Sequence, residues 1–395
     1  LGRRPRAILG ALLVALALAV PAAATAKLPR IEARAWALVD ARTGKTLVSH
    51  AVARKLPIAS TTKLMTAYVV LHELPLDRIV RAAPYHPEYG ESLLGLRPGQ
   101  RISVHDLLCG LILRSGNDAA YDLARAAAGS ESRFVAQMNR YAMALGLADT
   151  HYANPIGLDQ RGNHSSARDL ATLTRHLLAI PAFARIADSR SAVLRSVRPN
   201  RRIESINELL QMAPWVTGVK TGHTFGALYV LVGSGRREGV ELISVAIGAP
   251  TDEDRFRDNL DLLEYGFSQY RRHVPVRAGR ALAEPSIRYS GGTLPLRATR
   301  RVAVGLRKGQ HLSVAVRAPR EVEGPVQRGE RLGTATVTVD GRRTAVVALR
   351  AGRAVPAAAV LDRVRSFAEE NLIWLAMALS AILIAGVLLF RRLFR

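Results

Sequence analysis

Strand-like runs stand at both ends of residues 35 to 267, and helical periodicity fills the stretch between them. Ala35-Trp-Ala-Leu-Val-Asp40, the turn Ala41-Arg-Thr-Gly-Lys45 and then Thr46-Leu-Val48 read as two strands of a hairpin. Far downstream, Ala227-Leu-Tyr-Val-Leu-Val-Gly233 and Val240-Glu-Leu-Ile-Ser-Val-Ala-Ile-Gly248 are again of β type, divided by the basic turn Arg236-Arg-Glu-Gly239. Between them, apolar residues recurring at three- and four-residue steps predict helices over 60–74, 105–113, 119–128, 132–145 and 166–178, and another over 254–267 closes the segment. Strands at both termini with helices between them imply an α/β domain whose distant strands share one sheet.

Beyond Tyr270 the helical period disappears. Gly and Pro punctuate short alternating runs, and the clearest hairpin is Thr334-Ala-Thr-Val-Thr-Val339, Asp340-Gly341, then 344–349. A separate small all-β domain is predicted. The chain of 395 residues, 49% hydrophobic and 22% charged, has room and apolar material for both.

Both ends are apolar. Leu1-Gly-Arg-Arg-Pro-Arg6, the run 7–20 and the small residues Ala24-Thr-Ala26 have the three parts of a secretory signal, with cleavage expected after Ala26. Residues 372–390 form an uncharged run long enough to span a bilayer as a helix, with Arg391, Arg392 and Arg395 following it. The positive-inside rule leaves that tail in the cytoplasm and the rest of the chain outside. The expected order is therefore a signal peptide 1–26, the large α/β domain 27–272, a β-rich domain 273–358, a linker 359–371, a transmembrane helix 372–390 and a tail 391–395.

A net charge of +24 would fit a nucleic-acid partner in a cytoplasmic protein. Export and the scatter of the arginines point instead to a solvated surface among anionic wall polymers and headgroups. The single cysteine, Cys109, excludes an intramolecular disulfide and sits among leucines, as a buried thiol would. No metal or cofactor is expected, because His and acidic residues lack ligand spacing and the glycines form no phosphate loop.

Three short motifs carry chemistry. Ser60-Thr-Thr-Lys63 opens a predicted helix, which puts a hydroxyl and an amine on one face one turn apart, beside the free N–H groups of a helix start. Ser115-Gly-Asn117 lies between two helices and adds a second hydroxyl and an amide. Lys220-Thr-Gly222 begins a β run, and its glycine permits close backbone approach. Each alone is common and has a bland reading as helix start, loop cap or strand. In this order, each on the element it requires, they make a nucleophilic site. Ser60 is the expected nucleophile, Lys63 the neutral base and Ser115 the proton carrier to the leaving amine. Burial and the neighbouring Lys220 are expected to lower the Lys63 pKa, and the Ser60 and His223 N–H groups to form the oxyanion hole.

With Leu56-Pro-Ile-Ala-Ser-Thr-Thr-Lys-Leu-Met-Thr-Ala-Tyr68, Asn154-Pro-Ile-Gly-Leu-Asp159 and Val219-Lys-Thr-Gly-His-Thr224, these motifs make the chain similar to the low-molecular-mass penicillin-binding proteins that are D-alanyl-D-alanine carboxypeptidases. The resemblance implies a β-lactamase/transpeptidase-like domain, an antiparallel sheet with a helical cluster. It also implies peptidoglycan stem peptides as substrate, β-lactams as covalent inhibitors and a place at the outer face of the bacterial plasma membrane. By the same resemblance Asn117, Lys220, Thr221, Gly222, His223 and Thr224 bind substrate, with Arg255 near the pocket. Residues 324–333 resemble part of that family's C-terminal domain, whose role would be to hold the site off the bilayer. Gly90-Glu-Ser92 departs from a pattern of glycine followed by two serines, in a loop bordering the cleft. A class A β-lactamase lacks support, since no Glu-x-x-Leu-Asn is present. A DD-endopeptidase, or a wall protein that binds β-lactams without turnover, remains an alternative to the carboxypeptidase.

Overall fold

The computed structural model describes residues 27–289 and 291–393, so the expected signal peptide lies outside the described residues. The described chain divides into two compact units, one ending at Arg271 and the other starting at Arg272.

In the first unit β1 (Ala35–Asp40) and β2 (Thr46–His50) form the hairpin. A 3₁₀ turn, Ala59–Thr62, leads into α1 (Lys63–Glu73). Next come β3 (Ile79–Arg81), β4 (Arg101–Ser103), α2 (Val104–Leu113), α3 (Asn117–Ala128), α4 (Glu131–Ala144), α5 (Ala167–Leu178) and α6 (Pro181–Ala187). A hairpin, β5 (Ser191–Leu194) and β6 (Arg201–Glu204), and the short α7 (Leu209–Met212) precede three long strands. These are β7 (Val216–Thr224), β8 (Leu228–Arg237) and β9 (Val240–Ala249), and α8 (Asp252–Ser268) ends the unit.

The central sheet is antiparallel throughout, in the order β2-β1-β9-β8-β7. The distant strand runs therefore do pair, Leu38 with Ser244 and Val232 with Val245. All six residues of β1 are buried, because α8 packs on one face of the sheet and α5 with the helical cluster on the other. Residues 63 to 70 of α1 are all buried, so this helix runs through the core and carries Lys63 and Thr66 into it among its apolar residues. Ser103, Ser130, Ser166 and Thr251 cap α2, α4, α5 and α8 by accepting the N–H three residues on.

Two elements differ from expectation. The helix predicted from Ser60 becomes α-helical only at Lys63, because Ala59 has φ of 47° and the first turn is 3₁₀. Lys220 lies in the middle of β7, whose earlier half is obscured in sequence by Gly218 at φ of 126°. The hairpins β3–β4 and β5–β6 gave no strand signal, being three or four residues long and rich in arginine.

The second unit carries a five-stranded sheet whose longest pair, Arg331–Val339 and Arg342–Ala351, turns at Asp340 and Gly341, both with positive φ. Val337, Val347 and Leu349 lie in its own core. Among the described residues no single helix is both long and apolar enough to cross a membrane. The pair Val360–Ala368 and Leu372–Val387, bent by 72°, meets the test together.

One buried carboxylate fixes the strap leading to α2. Asp118, near the start of α3, accepts the N–H groups of Leu94 and Gly95 at 2.7 Å and of Leu96 at 2.9 Å. Three charge-assisted bonds depend on this one group. Asp118→Ala should lower stability by about 3 kcal/mol, a melting shift of roughly 6–12 °C. Unchanged thermal unfolding would show that the strap finds other partners.

Candidate active site

The 3₁₀ turn, the α2–α3 junction and edge strand β7 meet at one place. Ser60 stands on the turn, and the Lys63 Nζ lies 2.8 Å from its Oγ. The same amine donates to the Ile156 carbonyl at 2.5 Å. That carbonyl is aimed by a small polar knot: Asn154 Oδ1 accepts the N–H groups of Ile156 and Gly157, and its Nδ2 donates to the Leu158 carbonyl. Gly157 is required here, because a Cβ would stand 2.1 Å from the Ala59 carbonyl oxygen.

A second amine meets the second hydroxyl. Lys220 Nζ donates to Ser115 Oγ at 2.9 Å and to the Thr221 carbonyl at 2.7 Å. Ser115 has φ of 59°, so residues in the left-handed region stand at or beside both motif serines. β7 comes so close to the nucleophile that a Cβ on Gly222 would lie 3.0 Å from the Ser60 nitrogen. This is the close approach that the glycine of Lys-Thr-Gly permits.

Lys63 and Lys220 are both fully buried. Burial lowers the Lys63 pKa to about 7, against Glu91 and Asp118, which favour its charge. Lys220 is held well below the ordinary lysine value, first by burial, then by Lys63 and Arg255. Burial thus depresses Lys63, rather than the charge of Lys220 that the sequence reading also invoked.

A cleft of about 710 Å³ opens over Ser60, with Asn117, Ile156, His223, Thr224 and Phe225 on its walls. Thr224 Oγ1 donates to Asp159 at 2.7 Å, and His223 stacks on Tyr229 with ring centroids 4.3 Å apart. Arg255 is not among the lining residues. From α8 it donates to the Gly222 carbonyl at 3.1 Å, pairs with Asp252 and lies over the Tyr229 and Phe256 rings. It braces the strand behind the cleft.

Glu91 is the residue that sequence reasoning passed over, although the departure at Gly90-Glu-Ser92 marked its loop. Its Oε2 accepts from Asn117 Nδ2 at 2.7 Å and from the Tyr85 hydroxyl at 2.5 Å, and its Oε1 accepts the Glu88 N–H. A carboxylate only accepts, so Glu91 fixes which end of the Asn117 amide faces it. Burial pushes its carboxyl up, but these three donors and Lys63 outweigh burial and hold it below the usual range.

Two Ser–Lys pairs with fully buried amines, one of them presenting Ser60 to the cleft, define an active-serine acyl-transfer enzyme. The family model for D-alanyl-D-alanine carboxypeptidase, peptidase S11, matches residues 22–251. The carboxypeptidase DacC of Escherichia coli is 34% identical over 337 residues, covering 80% of this chain and 83% of that protein. DacF of Bacillus subtilis is 30% identical over 320 residues, 78% of this chain and 82% of its own. Penicillin-binding protein 5 of Haemophilus influenzae superposes with a TM-score of 0.58 at 28% identity, over 84% of this chain and 99% of that one. The chain belongs to the D-alanyl-D-alanine carboxypeptidase family of serine peptidases, and its catalytic unit has the penicillin-binding protein fold.

Glu91→Ala should slow acylation roughly 10- to 100-fold, the worth of one hydrogen bond to a charged group. It should also move the acid limb of the pH profile downward, because removing a negative neighbour disfavours the Lys63 ammonium. An unmoved acid limb would sever Glu91 from Lys63.

Proposed function

We propose that this serine D-alanyl-D-alanine carboxypeptidase releases the terminal D-alanine of peptidoglycan stem peptides through an acyl-enzyme on Ser60. The observation that carries the reading is the fully buried Lys63 amine 2.8 Å from Ser60 Oγ, with a pKa of about 7. A lysine so placed is substantially neutral at neutral pH and accepts a proton.

Ser60 Oγ bonds to the penultimate carbonyl carbon while its proton passes to Lys63. The oxyanion is received by the Ser60 and His223 N–H groups, donors worth about 3 to 4 kcal/mol each in comparable sites. The carbon–nitrogen bond then breaks as Ser115, held by Lys220, passes a proton to the departing amine. Water cleaves the ester and returns Ser60. Lys220, Thr221, His223 and Thr224 receive the substrate's terminal carboxylate. Its charge favours the ammonium form of Lys220, which burial otherwise disfavours. Asn117 aligns the peptide, Gly222 lets it lie close to β7, and Arg255 steadies that strand. A β-lactam amide is attacked by the same oxygen.

In this reading residues 1–26 direct export and the apolar segment 372–390 spans the membrane with its arginine tail inside. The catalytic unit then works on the outer face of the plasma membrane.

Ser60→Ala should abolish both labelling by a fluorescent penicillin and D-alanine release from a pentapeptide. Residual labelling at the parent rate would remove Ser60 from its role. The second-order acylation rate should be on a plateau above about pH 7 and fall tenfold per pH unit below it, as Lys63 takes up its proton. A flat profile between pH 5 and 8 would require another base.

A further inference from the structure

A second groove, of about 800 Å³, opens on the catalytic unit and shares no lining residue with the peptidase cleft. One wall is the turn before β4, with Arg97 and Arg101; the other is the tip of the β5–β6 hairpin, with Arg198 and Arg201. No carboxylate lines it. Among the described residues none of these four arginines has an ion-pair partner, whereas the next residue, Arg202, takes Glu204 at 2.7 Å.

The walls are fixed. Ser196 donates its N–H and its hydroxyl to Asp106 Oδ2 at 2.8 and 2.6 Å and accepts the Ser103 N–H at 2.9 Å, which ties the hairpin tip to the start of α2. Arg198 folds onto its own turn, donating to the Arg195 and Val197 carbonyls and to Asn200. Arg201 spans to the opposite wall through the Leu94 and Gly95 carbonyls. Its Nε is buried with no acceptor. Four arginines lining one groove with no carboxylate on its walls create a positive potential there, which an anion relieves. Guanidinium donors match phosphate oxygens in pairs. A concave space of this volume holds several units of a chain, and a flat bilayer surface cannot enter it.

We propose that this groove binds a linear, phosphate-bearing polyanion at a site separate from the peptidase cleft. The test uses the full chain in neutral detergent micelles, titrated with fluorescently labelled polyphosphate of about ten units across a salt series, and separately with phosphatidylglycerol vesicles. Arg97, Arg101 and Arg198 are exposed, so the triple Ala variant at these positions should fold and keep its penicillin acylation rate. It should bind polyphosphate about tenfold or more weakly, with a log–log salt slope smaller by about 2. A control with Arg54→Ala, Arg133→Ala and Arg140→Ala, also exposed and equal in charge change, should keep both affinity and slope. Equal losses in the two triple variants would assign binding to net charge and overturn the groove. So would a parent protein that binds the vesicles and ignores polyphosphate.

Discussion

Two lysine amines wholly removed from water within one cluster are the constraint around which the catalytic unit is arranged. An isolated buried ammonium is among the least tolerable groups in a protein, so each amine must lose its proton or find acceptors. Lys63 does both: its pKa falls to about 7, and the Ile156 carbonyl and Ser60 Oγ lie within bonding distance. Lys220 has Ser115 and the Thr221 carbonyl. The same burial that disfavours charge brings Lys63 into the range of a base at neutral pH, while Lys220 is bonded to the second hydroxyl. Chemistry and folding are thus linked through one desolvation.

Around the amines a second layer of polar groups holds the segments that supply those acceptors. Asn154 bonds the turn that presents Ile156, Asp159 holds Thr224 and the Gly226 N–H, and Asp118 gathers the 94–96 strap. Glu91 then sets Asn117 and lends negative potential to Lys63. Irregular loops can position groups this closely because their backbone donors are satisfied by side-chain carboxylates and amides, Asp118 and Asn154 among them buried. Two left-handed residues, Ala59 and Ser115, lie beside these groups, Ala59 against Gly157 and Ser115 bonded by Lys220.

The excess of positive charge is not spread evenly. Some arginines are consumed by carboxylates, as Arg168 is by Asp149 and Arg236 by Glu241, while among the described residues the groove arginines make no ion pair, and Arg198 and Arg201 bond only to carbonyls and an amide. Composition reports the total of such charge but is blind to its grouping.

Local pattern carried the sheet-and-helix architecture, because β1, β8 and β9 are largely buried runs and helices such as α2 and α5 start at side-chain caps. The three motifs named Ser60, Lys63, Ser115 and Lys220 as a set, since a nucleophile needs a base and a proton carrier whatever the fold. The sequence could not reveal Glu91 beside Asn117, the Ile156 carbonyl on Lys63, or Arg255 behind Gly222. Those contacts join residues from separate loops, and one is made by a backbone oxygen, for which any side chain would have served. Local pattern fixes which face of an element is buried. Which loops meet over that face, and hence the electrostatics of the amines, follows only from the closure of β7 against the 3₁₀ turn.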